Sequence, residues 1–497
     1  MVSVTGTRVP GRRAPRQLTF AVLAAGVLAF ALLQSLVIPV LPTIQNALGT
    51  TQADVTWVLT SYLLSASIFT PIVGRLGDMT GKKRMFVFAL GALAVGCLLS
   101  ALASSLSMMI VGRVIQGVGG GVMPLAFGIV RDEFPEDKTP GAVSAIASMG
   151  AAGAGVGLVL AGPIVDLLGH DWLFWIPLIV LVIAAVTAHV VVPESRVKTA
   201  GKVNWIAALL LSGWLVALLL PVSQGSAWGW TSLPVVGLLT VAVVLAVVWI
   251  VVESRSRFPL VDMRMMRRRA VWTTNVVALL IGVAMYASFA FLSQFLQTPP
   301  SAGYGFGASV TESGLMVLPQ TAASFLLGLF AGRLGQRYGS KNVLLVGISI
   351  SVVGYLLFAL VHDERWQIYL LATVMGIGFG AAFATMANLI VVAVPKEQTG
   401  VASGMNANIR TVGGSIGSAV MATVVTSHAG PTGLPLESGY TNGFLLLAGA
   451  LVVAGLAALL IPAVRRDAVT HEEPDVPLRH PEAALVPGGT LVGDAPE

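Results

Sequence analysis

The chain has 497 residues, of which 56% are apolar and only 10% charged, and it carries a formal net charge of +6. Soluble domains carry roughly 25% charged residues, so this composition excludes a soluble enzyme and indicates a multi-spanning membrane protein. The lone cysteine, Cys97, rules out a disulfide framework, and the scattered histidines show no metal-ligand spacing.

Fourteen apolar segments approach the ~20 residues that a helix needs to cross the hydrocarbon core. In chain order they are expected at 18–41, 55–76, 85–105, 107–130, 141–166, 172–193, 204–221, 233–252, 271–296, 312–333, 342–362, 366–393, 400–425 and 441–462. The first is too long for the apolar core of a cleaved signal peptide, and no small-residue cleavage site follows it. A basic tail, 1–17, precedes it, with Arg8, Arg12, Arg13 and Arg16. Lys and Arg recur in the connections 77–84, 194–203, 253–270 and 334–341. The opposite connections hold Asp54, His170, Asp171, Asp363 and Glu364, with Arg365 as their basic residue. That asymmetry places both termini in the cytoplasm. The basic run in 253–270 is expected to face anionic lipid rather than nucleic acid. The tail 463–497 has little to bury and is expected to be a disordered cytoplasmic segment.

The chain also repeats itself. Gly74-Arg-Leu-Gly-Asp78-Met-Thr-Gly81-Lys82-Lys83-Arg84 returns as Gly332-Arg-Leu-Gly-Gln336-Arg-Tyr-Gly339-Ser-Lys341, 258 residues later. Pro135-Glu-Asp-Lys-Thr-Pro-Gly141 returns as Pro395-Lys-Glu-Gln-Thr-Gly400 at nearly the same offset. Two matches at one offset indicate duplicated halves, the build of many secondary transporters. Six spans take about 175 residues, so a surplus of ~80 must lie between the halves. The expected plan is an all-α membrane protein: a first six-helix bundle at 18–193, two inserted helices with a linker at 194–270, and a second bundle at 271–462.

These residues resemble the major facilitator superfamily, in its fourteen-span drug:proton antiporter branch. The 74–84 stretch is similar to the family's turn between the second and third helices. Arg113-Val-Ile-Gln116-Gly117 is similar to its fourth-helix motif, Trp57-Val-Leu-Thr-Ser-Tyr62 to the entry of its second helix, and Leu41-Pro42 to the end of its first. The likeness covers roughly 18–465. It implies two six-helix repeats, alternating access, and coupling or substrate contact at Arg113. The fifth span departs from the pattern: Gly157-Leu158-Val-Leu-Ala161-Gly162-Pro163 has leucine and alanine where the branch carries a proline and a second glycine.

Physical chemistry adds a reading of each motif. Gly74 and Gly81 allow close helix approach and a tight turn. Asp78, among Arg75, Lys82, Lys83 and Arg84, is placed to form charge-assisted hydrogen bonds that latch one end of the bundle. The alternative is a basic turn that only fixes topology. Arg113 costs at least ~2.5–3.5 kcal/mol in a span centre unless it is partnered or lines a wet cavity, and Gln116 lies on the same helix face. Its bland reading is a link to neighbouring backbone carbonyls. Arg410 lies in the thirteenth span, where it could equally snorkel toward the cytoplasmic end. Gly157, Gly162 and Gly117 suit close packing, and Pro163 offers a bend. Candidate cavity groups are Gln34, Trp57, Tyr62, Asn275, Tyr286, Gln294, Gln297, Gln320, Asn388 and Asn406, each of which could instead join helices. No carboxylate lies at the centre of a span: Asp54, Asp166 and Glu312 fall near span ends. Neutral, amphipathic or anionic substrates therefore fit better than cations.

The sequence thus reads as a proton-coupled exporter of drugs or small amphipathic metabolites in a bacterial plasma membrane, with no cofactor and a monomer as the working expectation. The alternative is a proton-coupled importer of a nutrient such as a sugar or organic acid. No phosphate-binding Gly-x-x-x-x-Gly-Lys-Ser/Thr is present to support ATP drive, and no catalytic constellation recommends an enzyme.

Overall fold

The computed structural model describes residues 15–195, 198, 202–426 and 434–462. Most of the expected basic tail 1–17, including Arg8, Arg12 and Arg13, and all of the 463–497 tail lie outside the described residues. Among the described residues, fourteen helices are long and apolar enough to cross a membrane. The first six are α1 Arg16–Val40, α2 Trp57–Thr80, α3 Lys82–Ala101, α4 Leu106–Glu133, α5 Thr139–Leu168 and α6 Trp172–Val191. Two inserted helices follow, α7 Trp205–Trp228 and α8 Leu233–Arg255. The last six are α9 Arg269–Gln297, α10 Val310–Tyr338, α11 Ser340–Leu360, α12 Arg365–Ala393, α13 Thr399–Thr426 and α14 Glu437–Leu459.

The spans stand where the apolar runs place them, but several overshoot. Backbone groups in lipid have to be satisfied within the helix, and the same bonding continues past the hydrocarbon edge into polar sequence. The supposed polar turn at 77–84 is therefore helix up to Thr80, one residue of turn, and helix again from Lys82. That residue is Gly81 at φ 127°, a conformation closed to side chains that carry a Cβ; Gly339 repeats it between α10 and α11 at φ 86°. The end of the bundle carrying these two turns holds the Lys and Arg of the described connections apart from Arg365, and is called the basic end below.

Each half has its own apolar core. Leu23, Leu33, Phe86, Leu90 and Phe174 are fully buried in the first, and Phe295, Tyr355, Phe358 and Phe444 in the second. The halves meet where α5 packs along α10 and α2 along α13. A third cluster covers part of that seam. Leu211 and Leu215 of α7, with Leu260, Val261 and Met265 of the linker, pack against Ile72 of α2 and Val401 and Met405 of α13. So α7 touches one helix from each half. Only 17% of the most apolar window of α8 is buried, which leaves its other faces for lipid.

Glu253 fixes the linker at this seam. Its carboxylate is buried and accepts the backbone N–H groups of Leu260 at 2.9 Å and Val261 at 3.1 Å. Glu253→Ala removes both acceptors and leaves two buried donors unpaired, a loss on the order of 2–4 kcal/mol. A melting temperature several degrees lower in detergent is the expected result. An unchanged melt would show that the linker is not held through this residue.

Candidate functional site

Two features stand out: a latch at the basic end and a cavity between the halves. In the latch, Asp78 occupies the last turn of α2 with no exposed surface. Its Oδ1 accepts the N–H of Gly400 at 3.2 Å and its Oδ2 that of Val401 at 3.0 Å. These are first-turn donors of α13, which have no partner within their own helix and form its positive end. The side chain of one half thus caps a helix of the other.

Glycine makes the approach possible. A Cβ on Gly74, one turn before Asp78, would lie 2.6 Å from the carbonyl oxygen of Gly400, and a Cβ on Gly400 would lie 2.7 Å from that of Gly74. The repeat shows the same meeting with the halves exchanged. A Cβ on Gly332 would lie 2.6 Å from Gly141 Cα, and the Gln336 amide donates to the Asp137 carbonyl. Both duplicated motifs therefore touch each other across the seam. They differ in chemistry: the first contact is a carboxylate on helix N–H groups, the second a neutral amide on a carbonyl.

Lys82 is fully buried and supports the latch, with Nζ 2.8 Å from Asp132 Oδ2 and 3.9 Å from Asp78 Oδ1. Ser195 also donates to Asp132. Further links across the basic end run from Arg131 to Thr399 Oγ1 at 2.7 Å, Asn388 to Ser144 Oγ at 2.6 Å, and Lys396 to Glu136 at 3.1 Å. Lys83 and Arg84 do not join them. The Gly81 turn starts a new helix, so only its first residue faces Asp78; Arg84 points outward and pairs with Glu194 at 3.4 Å.

Midway through the bundle, both halves line an open cavity. Of the residues expected there, Gln34, Tyr62, Tyr286 and Gln320 line it. Arg410 does too, three turns inside α13 rather than snorkelling at its end. Its guanidinium lies 4.6 Å over the Phe383 ring. The other candidates are elsewhere. Asn406 donates to Asn275 at 2.8 Å and so joins α13 to α9. Gln297 donates to Ser293 and Ser313, and Asn388 serves the basic end as described. Trp57 sits half-buried at the start of α2, and Gln294 is exposed.

Arg113 is also away from the cavity. It is fully buried, donates from Nε to the Val58 carbonyl at 2.9 Å and from Nη1 to Gln116 Oε1 at 2.6 Å, and lies 4.4 Å over the Tyr62 ring. Tyr62 separates it from the open space, so direct substrate contact is ruled out in this conformation. Gln116 passes the chain of bonds on to Ser100 at 3.2 Å. Gly117 packs on Ser65, Gly157 on Ser35 and Gly162 on Thr311, and α5 runs unbroken through Pro163. The span-end acids Asp54, Asp166 and Glu312 are exposed, and among the described residues no Asp or Glu lines the cavity.

Sequence reasoning missed Ser67 and Thr70 on α2, Thr321 and Ser324 on α10, and Asn408 and Thr411 on α13, all of which line the cavity. Their spacing of three residues was the available signal, since that places each pair on one helix face. A four-residue 3₁₀ segment, Val118–Gly121, interrupts α4 beside the cavity, with Gly120 in its wall. Such a segment inside a helix often marks a hinge.

Comparison with known proteins agrees with this architecture. Over 86% of its length the chain is 29% identical to the tetracenomycin C resistance and export protein of Streptomyces glaucescens, covering 79% of that protein. It is 28% identical to the uridine/deoxyuridine transporter of Lactococcus lactis, over 88% of this chain and 93% of that one. The crystal structure of the human organic anion transporter MFSD10 (TETRAN) superposes with a TM-score of 0.66 at 15% identity, over 90% of this chain and all of that one. The profile of one family matches residues 23–300 and again 277–492, two matches that follow the duplication. Among the described residues, two repeats of six membrane-length helices with two more between them, a cavity at the seam and these matches have one reading: the chain is a transporter that belongs to the Major Facilitator Superfamily.

Proposed function

We propose that the protein is a proton-driven exporter of small amphipathic compounds, working by alternating access from a bacterial plasma membrane with its basic end in the cytoplasm. The observation that carries this reading is the latch. Polar links tie the halves at the basic end, on the far side of which the shared cavity lies. That is the geometry of a carrier closed toward the cytoplasm, and releasing Asp78 from α13 is the step that would let the halves part there. The basic turns at that end support its cytoplasmic placement. The resistance and export protein of Streptomyces supports the direction.

The uridine/deoxyuridine transporter supports a second reading, proton-coupled uptake of a polar nutrient, because one fold serves both directions. Inside-out vesicles bearing the protein separate the two. Acidifying the lumen is expected to drive accumulation of an amphipathic dye, and dissipating the gradient at constant ATP to stop it. Accumulation that needs ATP, or dye movement only down the proton gradient, would sink the exporter reading.

A further inference from the structure

We infer that the central cavity takes a flat aromatic compound carrying one ionised acidic group, with the anion seated on Arg410. This rests on the reading of the cavity as the transported compound's site. Arg410 is 9% exposed, lines the cavity, and has a buried Nε with no hydrogen-bond partner. Phe383 covers one face of its guanidinium and Tyr286 takes a hydrogen bond from it, but neither supplies negative charge. Nor does anything else in the cavity wall, which contains no Asp or Glu. A cation kept at this depth calls for a counter-charge, and the Arg410 side chain forms part of the wall of the space that a ligand would fill. A carboxylate or phenolate suits the guanidinium fork better than any neutral group.

The rest of the ligand follows from the other walls. Phe30 and Tyr62 of the first half and Phe289 and Phe379 of the second present ring surface to the cavity, which fits a flat apolar body. Gln320 Oε1 and Asn408 Oδ1 are buried amide oxygens without partners, and both residues line the same space. Both oxygens are shut off from the cavity surface in this conformation, and a turn of either side chain would let it accept an O–H or N–H beside the acidic group. Organic monocations meet the opposite conditions: no carboxylate to pair with and a fixed positive charge to repel them.

Arg113 does not compete for this role. It carries an orphaned Nη2 as well, but Tyr62 stands between it and the cavity, and its Nε and Nη1 already bond Val58 and Gln116.

The test is equilibrium binding to the purified full-length protein in detergent, using three dyes of one ring system: anthracene-9-carboxylate, 9-anthracenemethanol and (9-anthrylmethyl)ammonium. The carboxylate is expected to bind about ten- to a hundredfold more tightly than the ammonium. In Arg410→Gln the carboxylate is expected to lose about tenfold or more while the alcohol stays within about twofold. Arg410→Lys should retain part of the preference for the anion, and unchanged alcohol binding certifies that both variants are folded. Equal or tighter binding of the ammonium to the parent protein, unchanged carboxylate binding in Arg410→Gln, or no binding of any of the three overturns the inference. Selective binding of the carboxylate in a protein that moves none of the dyes in vesicles would leave the inference standing and overturn the exporter reading instead.

Discussion

Gly74→Val is expected to abolish transport while leaving the protein inserted and abundant. The added Cβ would stand 2.6 Å from the Gly400 oxygen and 2.9 Å from its carbonyl carbon, and both belong to backbone that has nowhere to turn. Relief requires α2 and α13 to separate at the basic end, which draws Asp78 away from the N–H groups of Gly400 and Val401. Two hydrogen bonds to a charged group are worth roughly 3–6 kcal/mol together. Removing that much from one of two states shifts their ratio by about a hundredfold or more. The open state carries no such clash, so the variant should rest with its basic end parted. Transport normalised to abundance is then expected to fall by about a hundredfold.

A nearly isosteric Ser403→Cys, buried close to the latch, should react with an impermeant maleimide faster in the Gly74→Val background; the native Cys97 is fully buried and adds little labelling. Gly332→Val is expected to act alike, because it meets Gly141 in the same manner. Asp78→Asn should be milder, about tenfold, since its amide oxygen still caps one of the two donors. Gly91→Val is the control: nothing lies within 4 Å of its Cβ position, and it should transport as the parent does. A fully active Gly74→Val protein would mean that the latch never closes during transport.

The fourteen spans were legible because lipid imposes a length and a composition on each of them. The duplication was legible too, since glycines and basic residues recur at one offset. What the offset could not reveal is that the copies touch. Asp78 binds two backbone N–H groups, and a backbone group has no side-chain signature, so nothing at 400–401 marks it as the partner. Arg84 and Lys83 looked equally good on charge alone, and only the Gly81 turn separates them from Lys82. The cavity was half legible for a related reason. Asn275 and Gln320 are alike in polarity, yet Asn275, in the second turn of α9, is spent on Asn406, while Gln320 lies in the cavity wall. Depth and helix rotation decide between them, and short polar patterns fix rotation poorly. Arg410 stood evenly between the cavity and a snorkelling role, because its depth in the span is compatible with both; the rotation of α13 puts it in the cavity wall. The Arg113–Gln116 pair was foreseen from its spacing of three residues, while the Tyr62 ring beneath the guanidinium was not.

That ring ties Arg113 to the cavity. Arg113→Met is expected to lose transport on the order of a hundredfold, with no fall in melting temperature. Arg113 is fully buried and holds a carbonyl, an amide oxygen and a ring face, but no carboxylate. Burying a charge without a counter-ion is costly, and an apolar side chain of similar size removes that cost, which offsets the bonds lost. In the variant the Val58 carbonyl keeps its own helical hydrogen bond and only the Gln116 oxygen is left open. Stability is therefore not what the arginine supplies. It holds Tyr62, whose other face forms cavity wall. A desolvated cation–π contact and a charged hydrogen bond together are worth about 3–4 kcal/mol, enough for a hundredfold change. Arg113→Lys should recover little, because one ammonium cannot reach carbonyl, amide and ring together. Tyr62→Phe keeps the ring and should stay near the parent; Tyr62→Leu should resemble Arg113→Met. The double variant of Arg113→Met and Tyr62→Leu should be no worse than either single, since both remove the same contact. Additive losses, or full activity in Arg113→Met, would separate the arginine from the tyrosine. A sharply lower melting temperature in Arg113→Met would make its role structural.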